Sequence, residues 1–151
     1  MNMVVKTEGI GFDYKDKNWS LISIHTEPEE NFLTLENKKF LSSIGMKESL
    51  SLCFWDISNN AQILEQYPHA RLFSIEQAEL VVGMISIANQ QDDSTLILHC
   101  DAGISRSGAI GSFAADFLRL DMEKFRKDNP DIMPNHYVLS VLNKVSGNRP
   151  C

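Results

Sequence analysis

The chain of 151 residues has little cysteine: Cys53, Cys100 and Cys151 are odd in number and widely spaced. This excludes a disulfide framework and the paired spacing of a zinc site, and it fits reduced thiols. No apolar run is long enough to span a bilayer, and the opening Met-Asn-Met-Val-Val-Lys-Thr-Glu lacks the apolar centre of a signal peptide. A soluble, cytoplasmic protein without a membrane partner is expected. Positive charge is also scarce, with 14 Lys and Arg against 20 Asp and Glu, a net charge of −6 and a pI near 5.1. That balance argues against nucleic acid as a partner, and any bound anion has to be held by a focused local site. Repeats, low-complexity tracts and linkers rich in Pro, Gly or Ser are missing as well. With 43% hydrophobic and 23% charged residues, one domain over 1–151 is expected, with a core that needs no disulfide or structural metal, and a monomeric state.

What is present alternates strands with helices. Residues 18–25 and 49–54 carry apolar side chains at strand spacing, and Thr95 to His99 reads as a third, central strand. Residues 26–48 are polar and ambiguous, with a short helix near Lys38 to Ser43. Ser74 followed by Gln77 is a capping-box pattern, and Ala78, Val81, Val82, Ile85 and Ala88 then repeat at helical spacing. Residues 107–119 are rich in small side chains that let a helix pack closely. A short helix is expected over 121–127, a turn around Asn129 to Pro134, and a last amphipathic helix over 136–145 through Val138, Val141, Leu142 and Val145. The pattern predicts a three-layer α/β fold with a central, mostly parallel sheet flanked by helices.

The stretch with the sharpest chemistry runs from Thr95 to Gly108: an apolar strand, then His99-Cys-Asp-Ala-Gly-Ile-Ser-Arg-Ser107, then a helix. A loop between a strand end and a helix N-terminus offers unpaired N–H groups reinforced by the helix dipole, and there an oxyanion binds. Five residues, Asp101, Ala102, Gly103, Ile104 and Ser105, separate Cys100 from Arg106. They can curl around a tetrahedral phosphate, with Gly103 supplying a backbone angle that side chains resist. Arg106 supplies a planar fork of charge-assisted donors. The same field favours the thiolate of Cys100, making it a nucleophile, and the Ser107 hydroxyl can stabilise that thiolate as a leaving group. The plainer reading is a buried cysteine at a strand end, a surface arginine and Ser107 as an N-cap. Yet Gly and Arg three and six places after a given Cys coincide only about once in a few hundred cases.

These residues resemble the cysteine-dependent protein phosphatase superfamily, whose His-Cys-x5-Arg-Ser/Thr signature is met by His99, Cys100, Arg106 and Ser107. The segment from Phe125 through Arg126, Pro130, Pro134 and Asn135 is similar to the Arg-x-x-x-Pro-x-x-x-Pro-Asn stretch that follows the loop in dual-specificity and small bacterial tyrosine phosphatases. With Asp56, the resemblance covers about the C-terminal two thirds, while residues 1–45 match only as a vague strand pattern. It implies a phosphatase fold, hydrolysis of phosphate monoesters in phosphoproteins or phosphopeptides, with phosphotyrosine first and dual specificity as the broader option, a cysteinyl-phosphate intermediate and neither metal nor cofactor. It also implies that His99 supports the loop and that Asn135 can tie the last helix to it. Without the family, Asn135 reads as an N-cap.

Cleaving a phosphoester requires a proton for the leaving oxygen. Asp56 directly follows a strand and is flanked by Trp55 and Ile57, which would desolvate it. The interval from Asp56 to Cys100 is long for the compact members, which suggests an insertion over 59–72. Asp92 and Asp93 are nearer to Cys100 in sequence but read as a solvated turn. Cys53 is either a small core residue or a partner for Cys100 under oxidation. Phe54, Trp55, Phe73 and Tyr67 can wall a pocket or fill the core. Two rivals stay open: a rhodanese-like sulfurtransferase and a phosphopeptide-binding module without catalysis. Asp101 and the lack of lysine in the loop favour a monoester over a highly charged phosphoinositide.

Overall fold

The computed structural model describes residues 2–6, 18–31, 33–58, 60–91, 94–101 and 104–147. In chain order its elements are β1 (Asn2–Lys6), β2 (Trp19–His25), a short 3-10 turn (Pro28–Glu30), α1 (Leu35–Ser43), β3 (Met46–Cys53), α2 (Ala61–Gln66), α3 (Ile75–Asn89), β4 (Thr95–His99), α4 (Arg106–Phe117), α5 (Met122–Asp128) and α6 (His136–Ser146). The strands form one sheet in the order β1-β4-β2-β3, and every pairing is parallel. All carboxyl ends therefore lie on one edge, with Ser23 opposite His99 and His25 opposite Cys53. That edge is where parallel α/β sheets place their ligands.

β2 is buried along its whole length, as expected for an inner parallel strand covered on both faces. Its side chains divide by alternation. Ile22 and Ile24 join Leu52, Leu96 and Leu98 beneath α3, α4 and α6, in a core completed by Ile85, Ile110, Phe113 and Leu142. Trp19 and Leu21 point the other way, with Ile97, onto Leu33, Leu41 and Met46. Among the described residues the helical layers are thus unequal, with α1 the helix that contributes to the second cluster through Leu41. Trp19 also donates from Nε1 to the Ile44 carbonyl at 3.2 Å, fixing the turn after α1. Gly45 completes that turn at φ 115°, a conformation side chains resist.

The capping box at Ser74 and Gln77 is present, and Gln77 uses its remaining donor on the Cys53 carbonyl at 3.0 Å. Helix α4 is buried from Arg106 to Gly111, and a Cβ on Gly108 would stand 3.1 Å from that of Ile132. The run of small residues therefore lets the 132–135 segment lie directly on α4. Several boundaries differ from expectation. β3 starts at Met46, α1 starts at Leu35 behind a Thr34 cap, and α2 with its Asn60 cap occupies the region expected as an insertion. β1 was not read from the sequence; its register against β4 supplies the fourth strand. No helix among the described residues is long and apolar enough to cross a membrane.

Phe113 is almost fully buried in the larger core and stacks on Phe117 with ring centroids 5.4 Å apart. Phe113→Ala is expected to lower unfolding stability by about 3–5 kcal/mol, measured by denaturant titration.

Candidate active site

Three strand ends converge at the carboxyl edge. β4 delivers His99, Cys100 and Asp101; β2 delivers His25 and Thr26; β3 delivers Phe54, Trp55 and Asp56. Cys100 is buried, and its Sγ lies 3.0 Å from Oγ of the fully buried Ser107. Ser107 is therefore not the N-cap of α4. Ser105 holds that position but does not cap with its side chain, so its hydroxyl is spent elsewhere and the first amides of α4 have no side-chain acceptor from it.

Arg106 is 5% exposed, and its guanidinium spans the site. Nη1 donates to the Phe54 carbonyl at 2.8 Å and to Thr26 Oγ1 at 3.0 Å, while Nη2 donates to Asp101 Oδ2 at 3.0 Å. Thr26 Oγ1 in turn donates to the same Asp101 oxygen at 3.2 Å. A guanidinium has five N–H donors, so three bonds leave one on Nη2 and the one on Nε. The Nε–H is buried and finds no acceptor among the described residues. An orphaned buried donor is costly, and an arginine offering Nε and Nη2 on one edge presents the geometry of a bidentate oxyanion contact.

Asp56 is brought to the loop. Its Oδ1 accepts from Ser105 Oγ at 2.7 Å and from Asn135 Nδ2 at 2.8 Å, leaving Oδ2 without a hydrogen bond among the described residues. The expected desolvation by Trp55 and Ile57 is not found: Asp56 is exposed, because Trp55 turns onto Tyr67, with centroids 5.8 Å apart, instead of covering the carboxyl. Phe54 packs on Phe73 in the core, centroids 4.8 Å apart, so these two rings support the site from below. Asn135 both caps α6, accepting from the Val138 amide, and reaches Asp56. Its own N–H donates to the Ser105 carbonyl, and Met133 N–H donates to that of Ile104. The 132–135 segment therefore braces the far half of the loop. Ala102 and Gly103, with the expected cradle angle at Gly103, lie outside the described residues, as do Asp92, Asp93 and Cys151.

Two residues at this edge were missed from sequence, His25 and Thr26; no local pattern distinguishes them from an ordinary strand end. His25 is buried, with Nδ1 lacking a partner among the described residues. Burial pushes its proton affinity below the ordinary value of 6.5, opposed by Glu30, reinforced by Arg106 and opposed by Asp101. His99 is half-buried and shifted the same way, chiefly by burial, against a hydrogen bond with the Cys100 backbone. Cys53 donates from Sγ to the Thr26 carbonyl at 3.4 Å, and burial pushes its thiol up. The described residues contain no cluster of three or more His, Cys, Asp or Glu side chains able to hold a metal ion. A histidine held neutral in the fold but free to protonate when unfolded contributes stability above its unfolded value and loses it as pH falls. The melting temperature is expected to drop as pH goes from 7 to 5, and His25→Leu to flatten that slope; an unchanged slope removes His25 as a source.

No protein-family model matches the chain, and no curated protein matches it. Solved structures do. Tk-PTP in its active form is 15% identical with a TM-score of 0.52, covering 93% of this chain and 83% of that chain. The human tyrosine phosphatase-like serine/threonine/tyrosine-interacting protein is 18% identical with a TM-score of 0.51, covering 86% and 77%. A point variant of human DUSP28 is 14% identical with a TM-score of 0.55, covering 96% and 88%. The parallel sheet, its helical layers and these likenesses together give this chain the fold of the cysteine-dependent tyrosine phosphatases.

Proposed function

We propose that this protein hydrolyses phosphate monoesters, phosphotyrosine in proteins foremost, through a cysteinyl-phosphate intermediate. The observation that carries the reading is the buried Arg106, whose Nε–H finds no acceptor among the described residues, at the end of a loop that begins with a buried thiol held against a serine hydroxyl. A phosphoryl group bound along the Nε and Nη2 edge satisfies that donor and receives further N–H groups from the loop and the start of α4. Of the loop, Asp101, Ile104 and Ser105 are the described residues that flank this seat, and the first backbone N–H groups of α4 add donors to it.

In the first step the Cys100 thiolate attacks phosphorus, the bond from phosphorus to the ester oxygen breaks, and Asp56 passes a proton to that oxygen. Its Oδ2 has no hydrogen bond within the described residues, while Oδ1 is anchored by Ser105 and Asn135. Anchoring one oxygen and leaving the other open is the arrangement an acid needs, since orientation counts as much as proton affinity. In the second step Asp56 takes a proton from water, the water oxygen bonds to phosphorus, and the sulfur–phosphorus bond breaks. Ser107 donates to the departing thiolate at its 3.0 Å position, and inorganic phosphate leaves. His99, hydrogen-bonded to the Cys100 backbone, acts as a positioning residue for the cysteine.

Turnover of an aryl phosphate is expected to fall by about 10³-fold or more in Cys100→Ser and to be indifferent to a chelator. Retained binding of phosphopeptide with no turnover in the wild type would favour a binding module, and persulfide formation on Cys100 from thiosulfate would favour sulfur transfer. Asp56→Asn is expected to slow esters with poor leaving groups by about 10²-fold or more and those with good leaving groups far less. Equal slowing of both series would remove Asp56 as the acid.

A further inference from the structure

The most unusual feature of the site is the acid that begins the loop. Asp101 is 62% exposed at its side chain, yet Oδ2 is held on the inner side by Arg106 Nη2 at 3.0 Å and Thr26 Oγ1 at 3.2 Å. Its Oδ1 takes no hydrogen bond among the described residues. A carboxylate thus already shares the buried guanidinium of Arg106 that a phosphoryl group must use. With Nη1 committed to Phe54 and Thr26, Arg106 cannot turn to give Asp101 and the phosphoryl group separate faces without breaking two bonds.

A phosphoryl dianion seated on Nε and the second Nη2 hydrogen therefore lies beside a fixed negative charge of the protein. The approach carries more of the same sign. Glu29 and Glu30 are exposed on the turn that follows Thr26, and Glu30, Arg106 and Asp101 are the charges felt by His25 at this edge. Glu27 on the same turn is paired with Arg71 at 2.8 Å, which leaves that cation partly neutralised. Binding becomes favourable when the ligand brings positive charge of its own to the exposed side of Asp101.

We propose that Asp101 is a specificity-determining residue, a fixed carboxylate beside the phosphate seat that selects phosphotyrosine flanked by lysine or arginine and disfavours phosphotyrosine flanked by acids. This rests on the phosphatase reading of the same site. Oδ2 keeps the carboxylate in place, and Oδ1 faces the flanking residues of the substrate. The preference is electrostatic, so it weakens as salt screens the exposed half of the interaction.

The test compares two phosphotyrosine peptides that differ only in having Lys or Glu on both sides of the phosphotyrosine. In the wild type at low ionic strength, kcat/KM is expected to favour the Lys peptide by about tenfold or more. Asp101→Asn is expected to bring the ratio to within about threefold, whereas Glu30→Gln, which removes the same charge without touching Arg106, is expected to change it less. Equal rates or a preference for the Glu peptide in the wild type would overturn the proposal, as would a Glu30→Gln effect as large as that of Asp101→Asn. Should the Asn variant fail to fold, Asp101→Ser serves the same comparison. The affinities of Cys100→Ser for the two peptides read the same ratio without turnover. Hydrolysis that survives Cys100→Ser would therefore count against the mechanism, and an absent charge preference against Asp101 alone.

Discussion

The site depends on keeping one guanidinium charge out of water. Arg106 begins α4 but lies across the carboxyl edge of the sheet, and its contacts are one from each of three neighbouring strand ends: Thr26 after β2, the Phe54 carbonyl after β3 and Asp101 after β4. Burying such a charge without partners is costly, so these contacts are a condition for the loop to have this shape. They also work in the other direction. The guanidinium ties together three segments far apart in sequence, and each carries a residue of the proposed chemistry or stands next to one.

Much of this was legible in the sequence, for physical reasons that can be traced residue by residue. The buried strands announce themselves because an inner parallel strand is apolar on both faces, as β4 is, and the capping box at Ser74 follows from short-range hydrogen bonding that needs no tertiary context. Cys100 directly follows β4, and Arg106 and Ser107 open α4 just across the short loop, so their proximity is encoded by spacing. Thr26 and His25 were not legible, because their place at the site comes from strand order: β2 lies next to β4, and nothing near residue 26 specifies that neighbour. Asp56 was found as a strand-end acid, but its exposure was misjudged. Trp55 flanks it in sequence, yet adjacent residues at a strand end point apart, and the indole leaves toward Tyr67.

Bracing of the loop explains why residues well beyond it matter. Gly108 lets Ile132 approach α4, and the segment that follows Ile132 donates two backbone hydrogen bonds back to the Ile104 and Ser105 carbonyls. Asn135 adds a side-chain bond to Asp56, so the acid and the loop share one support. On the other side, Gln77 reaches from the start of α3 to the Cys53 carbonyl and fixes the strand end from which Asp56 departs. The carboxylate is thus positioned by three helices, α3, α4 and α6, whose own packing forms the larger core. Stability and geometry are coupled here through packing, since loosening the core under α4 also loosens the frame that holds Asp56 against Ser105.

A chain with a net charge of −6 is a poor general binder of anions, and the proposed function answers that tension by scale. Long-range potential reflects net charge and is screened by salt within about 10 Å, whereas a buried fork and a helix N-terminus act over one hydrogen bond and are screened little. Under the proposed function, the interior contacts fix what is bound, a tetrahedral oxyanion, while the exposed acids govern which molecules carrying one arrive. Asp101 belongs to both regimes. One oxygen completes the buried pairing of Arg106 and the other is open to solvent, so a single residue links the charge balance inside the seat to the charge of whatever approaches it.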